Sequence, residues 1–191
     1  AFGMGGMPAQ NGVAAALMVS LGCTGVDDVF SGDKDFFHTF SPGGRADREA
    51  LARGLGQDYE ILRAAIKRWP AGGPIQAPLD MTHDLVREHR FGAEDVQAIT
   101  VHVAEGLVNV INDRAMTDIS LQHLVALMIV DGQLDVASAH DYRRVRDPRI
   151  LKLKGRIAAL GSAGITDARS GTMEVVLKDG RTLTAECSAA K

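Results

Sequence analysis

The sequence predicts an α+β fold, because helix-like and strand-like patterns both occur and are separated along the chain. Apolar residues alternate with polar ones over residues 96–103, as in a half-buried strand. Residues 173–187 contain two alternating segments joined by Asp179-Gly180, a preferred hairpin turn. The first part of the chain has apolar runs without alternation. We therefore expect a helical segment followed by helices with a small antiparallel sheet.

The composition of the 191 residues, 46% hydrophobic and 24% charged, is that of a globular protein. A net charge of −3 without a basic block argues against nucleic-acid binding. The longest apolar run, residues 124–130, is too short to span a membrane. Cys23 and Cys187 form no CxxC motif and no secretory signal is visible, so we expect a cytoplasmic protein. The start at Ala1 leaves open a removed segment or one piece of a larger enzyme.

Three helices are predicted in the first part of the chain. Residues 8–22 are apolar nearly all round, which predicts a buried helix with Pro8 at its first position and Gly22 at its end. Thr24 is a suitable cap for a short helix over residues 25–30. Residues 45–56 have the pattern of a short amphipathic helix closed by glycine.

Residues 67–80, called the bend below, contain three of the six prolines, two adjacent glycines and the only tryptophan. Proline fixes φ and removes a backbone donor, so we expect neither a regular helix nor a strand to pass through. The bend is either an ordinary connector or one wall of a cleft. A helix is predicted to follow it, with Leu79, Met81, Leu85 and Val86 on its buried side.

Four further elements are predicted in the second half. The strand at residues 96–103 should bury Ile99, Val101 and Val103, which leaves His102 on the exposed face. Residues 120–131 form a run apolar enough for a buried helix that ends at Gly132. Asp147-Pro148 is a cap and first-turn signal for a helix over residues 149–160, and the hairpin described above follows. His83 and His89 on the helix after the bend are expected to be solvated or half-buried.

Motifs along the chain resemble those of the MmgE/PrpD family, which includes 2-methylcitrate dehydratases, cis-aconitate decarboxylases and iminodisuccinate epimerases. The bend resembles the family pattern K-x-[YFW]-P followed by a helix that carries Asp, and the matching residues are Lys67, Trp69, Pro70 and Asp80. The family corner G-[FC]-T-G-x-x-[DE]-V-[FL]-x-G resembles residues 22–32. Later segments that resemble the family, in the same order, are residues 97–103, 119–132, 147–157 and 175–187.

The resemblance covers almost the whole chain but only the C-terminal portion of the family's length. It implies that residues 1–63 are the C-terminal part of an all-α helical domain and that residues 64–191 form an α+β lid domain. The helix near residues 119–131 and the C-terminal region would pack back on the helical domain, and residues 60–67 would be extended. Family members place the active site between the domains and usually form homodimers. A partner chain supplying the missing helical domain is a further expectation.

The resemblance also implies a metal-independent, cofactor-free lyase that dehydrates a small hydroxy-carboxylic acid. Such a reaction needs a base, an acid and cations that hold the carboxylates. The absence of clustered Cys or His ligands agrees with a metal-free site. Decarboxylation or epimerisation within the same family remains an alternative. So does a non-catalytic role, as a pseudoenzyme, a regulatory subunit or one subunit of a split enzyme.

The family's active-site positions carry other residues in this sequence. Its K-x-L-H-x-G motif aligns with residues 1–6, so that Met4 occupies the histidine position and is expected to contact substrate. The histidine after the family's K-x-x-P bend is replaced by Gln76, and the tyrosine of SLPY is replaced by His123. His123 is the predicted acid-base residue, since a histidine titrates near neutral pH. Gln76, which cannot shuttle a proton, is predicted to orient the substrate.

The cations of the bend, Lys67 and Arg68, are predicted to bind a substrate carboxylate. Each of these assignments has a structural alternative. His123 has the alternative of a hydrogen-bonded core histidine, Gln76 of an amide that caps a loop, and Lys67 and Arg68 of a solvated face. Asp80 is expected to start or cap the helix after the bend.

Overall fold

A computed structural model describes residues 2–41 and 46–188, without the side chains of residues 2–4 and 60. The chain forms two compact units, Ala1–Arg63 and Ala64–Lys191. The predicted α+β class is confirmed, because the chain combines helices with one four-stranded sheet. No helix among the described residues is both long enough and apolar enough to cross a membrane.

The first unit begins with α1, Phe2–Ser20, so Pro8 lies inside the helix and not at its first position. Gly22, with φ +93°, ends the helix as predicted, and its N–H donates to the carbonyl of Val19. The prediction of a buried helix is wrong for the described side chains. Apolar side chains on α1 are more than half exposed, because no other described element of the first unit covers them. They are Met7, Val13, Leu17, Met18 and Val19.

The rest of the first unit is mostly irregular. It contains α2, Phe36–Phe40, and two 3₁₀ helices, Arg48–Leu51 and Glu60–Arg63. Residues 25–30 are not helical, which corrects the prediction, because the Asp28 carboxylate accepts hydrogen bonds from the N–H groups of Phe30 and Ser31 and closes a turn. The helix predicted at 45–56 shortens to one 3₁₀ turn, and the 3₁₀ helix at Glu60–Arg63 replaces the extended segment expected there.

The second unit contains the remaining helices and the sheet. Its α-helices are α3 Gln76–His89, α4 Val108–Ile111, α5 Leu121–Asp131, α6 Val136–Ala139 and α7 Pro148–Lys154. Its strands are β1 Val96–Ala104, β2 Ile157–Ser162, β3 Gly171–Leu177 and β4 Thr182–Cys187. Short 3₁₀ helices lie at Gly73–Ile75, Glu105–Leu107, Thr117–Ile119 and Tyr142–Arg146.

The sheet has the order β2-β1-β3-β4 and is mixed, which corrects the expectation of an antiparallel sheet. β1 pairs with β2 in parallel, with Ile99 opposite Ile157, and pairs with β3 in antiparallel orientation. The predicted helix over residues 149–160 therefore stops at Lys154, and its second half is β2. The β3–β4 hairpin is confirmed, with Gly180 at φ +91° in its turn.

The core of the second unit lies between one face of the sheet and the helices α3 and α5. Ile99, Val101 and Val103 point into it, as their alternation predicts. α5 is buried from Leu121 to Ile129 and ends at Gly132, which adopts a left-handed conformation. α7 packs against α5, and Asp147 caps it by accepting a hydrogen bond from the N–H of Arg149.

Candidate functional site

His123 lies in the first turn of α5 and is almost completely buried, with 3% of its surface exposed. Its burial follows from the sequence, because a helix that is apolar on all sides is buried on all sides, and a polar residue on it is buried as well. Its Nε2 atom has no hydrogen-bond partner among the described residues. The hydroxyl of Ser120, at the start of the same helix, is also buried without a partner. Buried polar atoms are normally paired, so two orphans on one turn mark a site that can take a ligand.

The electrostatic environment keeps His123 neutral. Burial lowers the pKa of its imidazole from the ordinary value of 6.5, and the positive charges of Lys154 and Arg144 lower it further. A neutral imidazole at neutral pH has a free lone pair on one ring nitrogen. His123 is therefore able to accept a proton without first losing one.

The two cations that act on His123 are held differently. Arg144 donates two parallel hydrogen bonds of 2.8 Å to Asp131, and its Nε lies 3.5 Å from a carboxylate oxygen of Asp147. Lys154, the last residue of α7, forms an ion pair with Asp113. Arg144 thus joins the end of α5 to the cap of α7, whereas Lys154 has one carboxylate partner.

Gln122, next to His123 on α5, fixes the neighbouring turn. Its Oε1 accepts a 2.8 Å hydrogen bond from the N–H of Asp113, and its Nε2 donates to Asn112. Asp113 has φ +44°, a conformation that residues other than glycine rarely adopt. The motif comparison gave no role to Ser120, Gln122, Asp113 and Lys154. Ser120 and Gln122 lie in the SLPY-like motif beside His123, which is the signal that could have found them.

The bend is held by the side chain of Gln76, which is buried in the first turn of α3. Its Oε1 accepts from the N–H of Trp69 at 3.0 Å. Its Nε2 donates to the carbonyls of Trp69 and Ala71 at 2.9 and 3.2 Å. Both amide atoms are therefore engaged with the backbone. α3 begins at Gln76, inside the bend, which corrects the expectation that no helix enters it.

The cations of the bend are also engaged. Arg68 donates to Asp80 at 2.9 Å and lies over the ring of Trp69, with 4.7 Å between its Cζ and the ring centroid. The indole Nε1 of Trp69 donates to the same Asp80 oxygen at 2.9 Å. Asp80 therefore ties the bend to α3 and does not cap the helix, which corrects that expectation. Lys67 donates to the carbonyl of Ala71 at 3.1 Å.

The family model for the MmgE/PrpD C-terminal domain matches residues 69–191, which is most of the chain. The chain belongs to the MmgE/PrpD family. The suspected membership and its C-terminal character are thereby confirmed, and the family is a dehydratase-like one. No curated protein matches the chain.

Within the MmgE/PrpD C-terminal domain, the predicted site residues fall into two places. Gln76 and the cations Lys67 and Arg68 surround Trp69 in the bend, with the two cations just before the matched segment. His123 lies on α5, and no hydrogen bond or ion pair among the described residues joins it to the bend. The side chain of Met4 lies outside the described part of the chain. The roles assigned to these residues stay predictions.

Among the described residues, no group of three or more His, Cys, Asp or Glu side chains is arranged to bind a metal ion.

Proposed function

We propose that this chain is part of a metal-independent lyase that dehydrates a small hydroxy-carboxylic acid, with His123 as its acid-base residue. Membership of the dehydratase-like family supports the reaction class. The observation that carries the proposal is the buried Nε2 of His123, which has no partner among the described residues while the pKa of the imidazole is lowered. A neutral ring at working pH, in the tautomer whose lone pair is on the unpartnered Nε2, is what a base for proton abstraction needs.

In the proposed reaction, the neutral imidazole of His123 takes the proton from the carbon next to a substrate carboxylate. The electron pair of that C–H bond forms the new C=C bond as the bond from the neighbouring carbon to its hydroxyl breaks. The imidazolium of His123 returns this proton to the departing hydroxyl, which leaves as water, so that His123 ends the reaction neutral. Negative charge develops on the carboxylate during this step, and nearby cations stabilise it.

The bend residues differ in how readily they would contact a substrate. Gln76 would have to give up three hydrogen bonds, and Arg68 its ion pair with Asp80. Lys67 would give up a single contact with a carbonyl. Lys67 is therefore the bend residue that we propose for carboxylate binding, while the geometry of Gln76 and Arg68 favours their structural alternative.

Thermal melting in the presence of citrate, methylcitrate, aconitate, malate or tartrate tests this proposal. A ligand that binds the folded chain raises the melting temperature by mass action. We expect one acid to do so in the wild-type chain and in the control His102→Gln, which changes a half-buried histidine of β1 on the outer face of the sheet. The shift should vanish in His123→Gln. An equal shift in His123→Gln, or none with any acid in the wild-type chain, contradicts the proposal.

A second candidate is that the chain is one subunit of a split or non-catalytic assembly, with a partner chain that covers α1. The exposed apolar side chains of α1 favour this candidate, since exposed patches of that kind usually mark contact sites. Size-exclusion chromatography with light scattering tests it. Aggregation of the isolated chain, relieved by Leu17→Glu, is the expected result. A monodisperse wild-type chain contradicts it. For the first candidate, the lyase, we propose a homodimer and a cytoplasmic location.

A further inference from the structure

We propose that Lys154 binds a substrate carboxylate beside His123, and that it does so by leaving its ion pair with Asp113. This inference rests on the proposed function, because it assigns a second residue to the same site.

The position of Lys154 brings its charge to His123. It is the last residue of α7, which packs against α5, and its side chain is 24% exposed. Lys154 is the largest electrostatic influence on the pKa of His123, after burial itself. Asp113, the partner of Lys154, donates its N–H to Gln122, the residue next to His123 on α5, so a carboxylate held by Lys154 would lie close to the first turn of that helix.

Two cations act on His123, and both are paired with carboxylates: Lys154 with Asp113, and Arg144 with Asp131 and Asp147. Lys154 on α7 and Arg144 on the neighbouring 3₁₀ helix both lower the pKa of its imidazole, and no carboxylate raises it. The unpartnered hydroxyl of Ser120 is available on the same turn of α5 as a hydrogen-bond donor. Once Lys154 has left Asp113, its charge and the free donor of Ser120 match the chemistry of a carboxylate.

Lys154 is better suited than Arg144 to change partners. Arg144 is fixed by two parallel hydrogen bonds to Asp131, and such bidentate pairs are strong and directional. The partner of Lys154, Asp113, is 65% exposed, and solvent-exposed ion pairs contribute little stability. A lysine is also a flexible point charge that is not restricted to one planar geometry.

Asp113 does not need Lys154 to hold its conformation. The turn at Asp113 is anchored by the two hydrogen bonds of Gln122, one to the backbone N–H of Asp113 and one to Asn112. The left-handed φ of +44° is a local strain, and strained residues of this kind cluster at functional sites. The turn can therefore keep its shape while Lys154 moves to a ligand.

Calorimetric titration with citrate as the probe tests the exchange. Lys154→Met should weaken binding about tenfold or more, because it removes one partner of a largely buried charge pair. The control Lys152→Met removes an exposed lysine of the same helix, whose partner is Glu94, and should change affinity less than about twofold. Asp113→Asn should strengthen binding about twofold to fivefold, because it frees Lys154. Asparagine tolerates the left-handed conformation, so this variant should fold.

A second measurement needs no ligand. The pKa of His123, followed by NMR and assigned with His123→Gln, should rise in Lys154→Met and stay unchanged in Lys152→Met. An unchanged pKa in Lys154→Met, or an affinity that does not increase in Asp113→Asn, overturns the inference. Equal citrate binding in Lys154→Met and Lys152→Met overturns the inference as well. If His123→Gln still abolishes citrate binding in that case, the proposed function is unaffected. Absence of citrate binding to the wild-type chain overturns this inference, whereas the proposed function is overturned only when none of the five acids binds.

Discussion

Truncation of Gln76 to alanine should destabilise the second unit, because this one amide holds the backbone of the bend together. Its three hydrogen bonds go to the N–H and carbonyl of Trp69 and to the carbonyl of Ala71. The carbonyls keep other donors after the truncation. The Trp69 carbonyl keeps the N–H of Ala71 at 2.8 Å, and the Ala71 carbonyl keeps the Lys67 ammonium at 3.1 Å. Only the N–H of Trp69 is left without a partner.

The free energy of unfolding should fall by about 2–3 kcal/mol. The orphaned N–H costs about 1–3 kcal/mol, and each of the two other lost hydrogen bonds costs about 1 kcal/mol. The side-chain entropy that glutamine loses on burial, about 1.5–2 kcal/mol, is no longer lost in the alanine variant and offsets part of this cost.

Urea unfolding followed by the fluorescence of Trp69 is the appropriate assay, since Trp69 is the only tryptophan of the chain and lies in the bend. A loss of 2–3 kcal/mol lowers the urea midpoint by roughly 1–1.5 M for a slope of about 2 kcal/mol/M. Gln133→Ala, which truncates an exposed glutamine after α5, is the matched control and should leave the midpoint unchanged. A Gln76→Ala midpoint within error of the Gln133→Ala midpoint refutes the reasoning and reopens the direct substrate-binding role of Gln76.

Substitutions at three other positions test the electrostatics and the packing. The melting temperature should fall as the pH drops through 6.5, because the folded pKa of His123 lies below that value and the unfolded chain takes up the proton first; His123→Gln should remove this part of the slope. Arg149 lowers the pKa of Asp147 to about 2. In acid-unfolding curves, the wild-type chain should therefore be more stable than Asp147→Asn above pH 3.8 and should lose this difference as the pH falls to about 2. Gly171→Ala places a Cβ 2.9 Å from a backbone carbonyl and should lower the unfolding free energy by about 1–3 kcal/mol, whereas Gly164→Ala, with its nearest atom at 3.8 Å, should be neutral in the same urea assay.

Elements with local signals were predicted correctly from the sequence. Gly132 after α5, the Asp147-Pro148 cap of α7 and the Asp179-Gly180 turn each act through their own backbone geometry. The signal and the structure therefore coincide within a few residues. The apolar pattern of α1 likewise predicted a helix, but burial depends on what covers the helix, which the pattern does not contain.

The errors arise where distant or competing contacts decide the structure. β2 was taken for the end of a helix, because the partner that makes residues 157–162 a strand is β1, far earlier in the chain. At Asp28, a carboxylate that bonds to the following N–H groups competes with the expected helix. Both errors concern interactions that propensity and periodicity do not represent.

The candidate site was found in part. His123 was selected because it occupies the position of a family residue, and the structure shows it buried with an unpartnered nitrogen. Lys154 and Asp113 lie in different elements and meet only when α7 packs against α5. A single sequence does not indicate that these two residues form an ion pair.

The central position of β1 has a consequence for how this protein is made. β1 lies between β2 and β3, and both of these neighbours come from residue 157 onward. A nascent chain that has reached Gly155 therefore carries the middle strand with both of its edges open, together with helices whose apolar sides have no sheet to cover. Folding of the second unit must wait for the last part of the chain, and pairings between distant segments form slowly. Until residues 157–187 have been made, both edges of β1 are open to pairing with other chains.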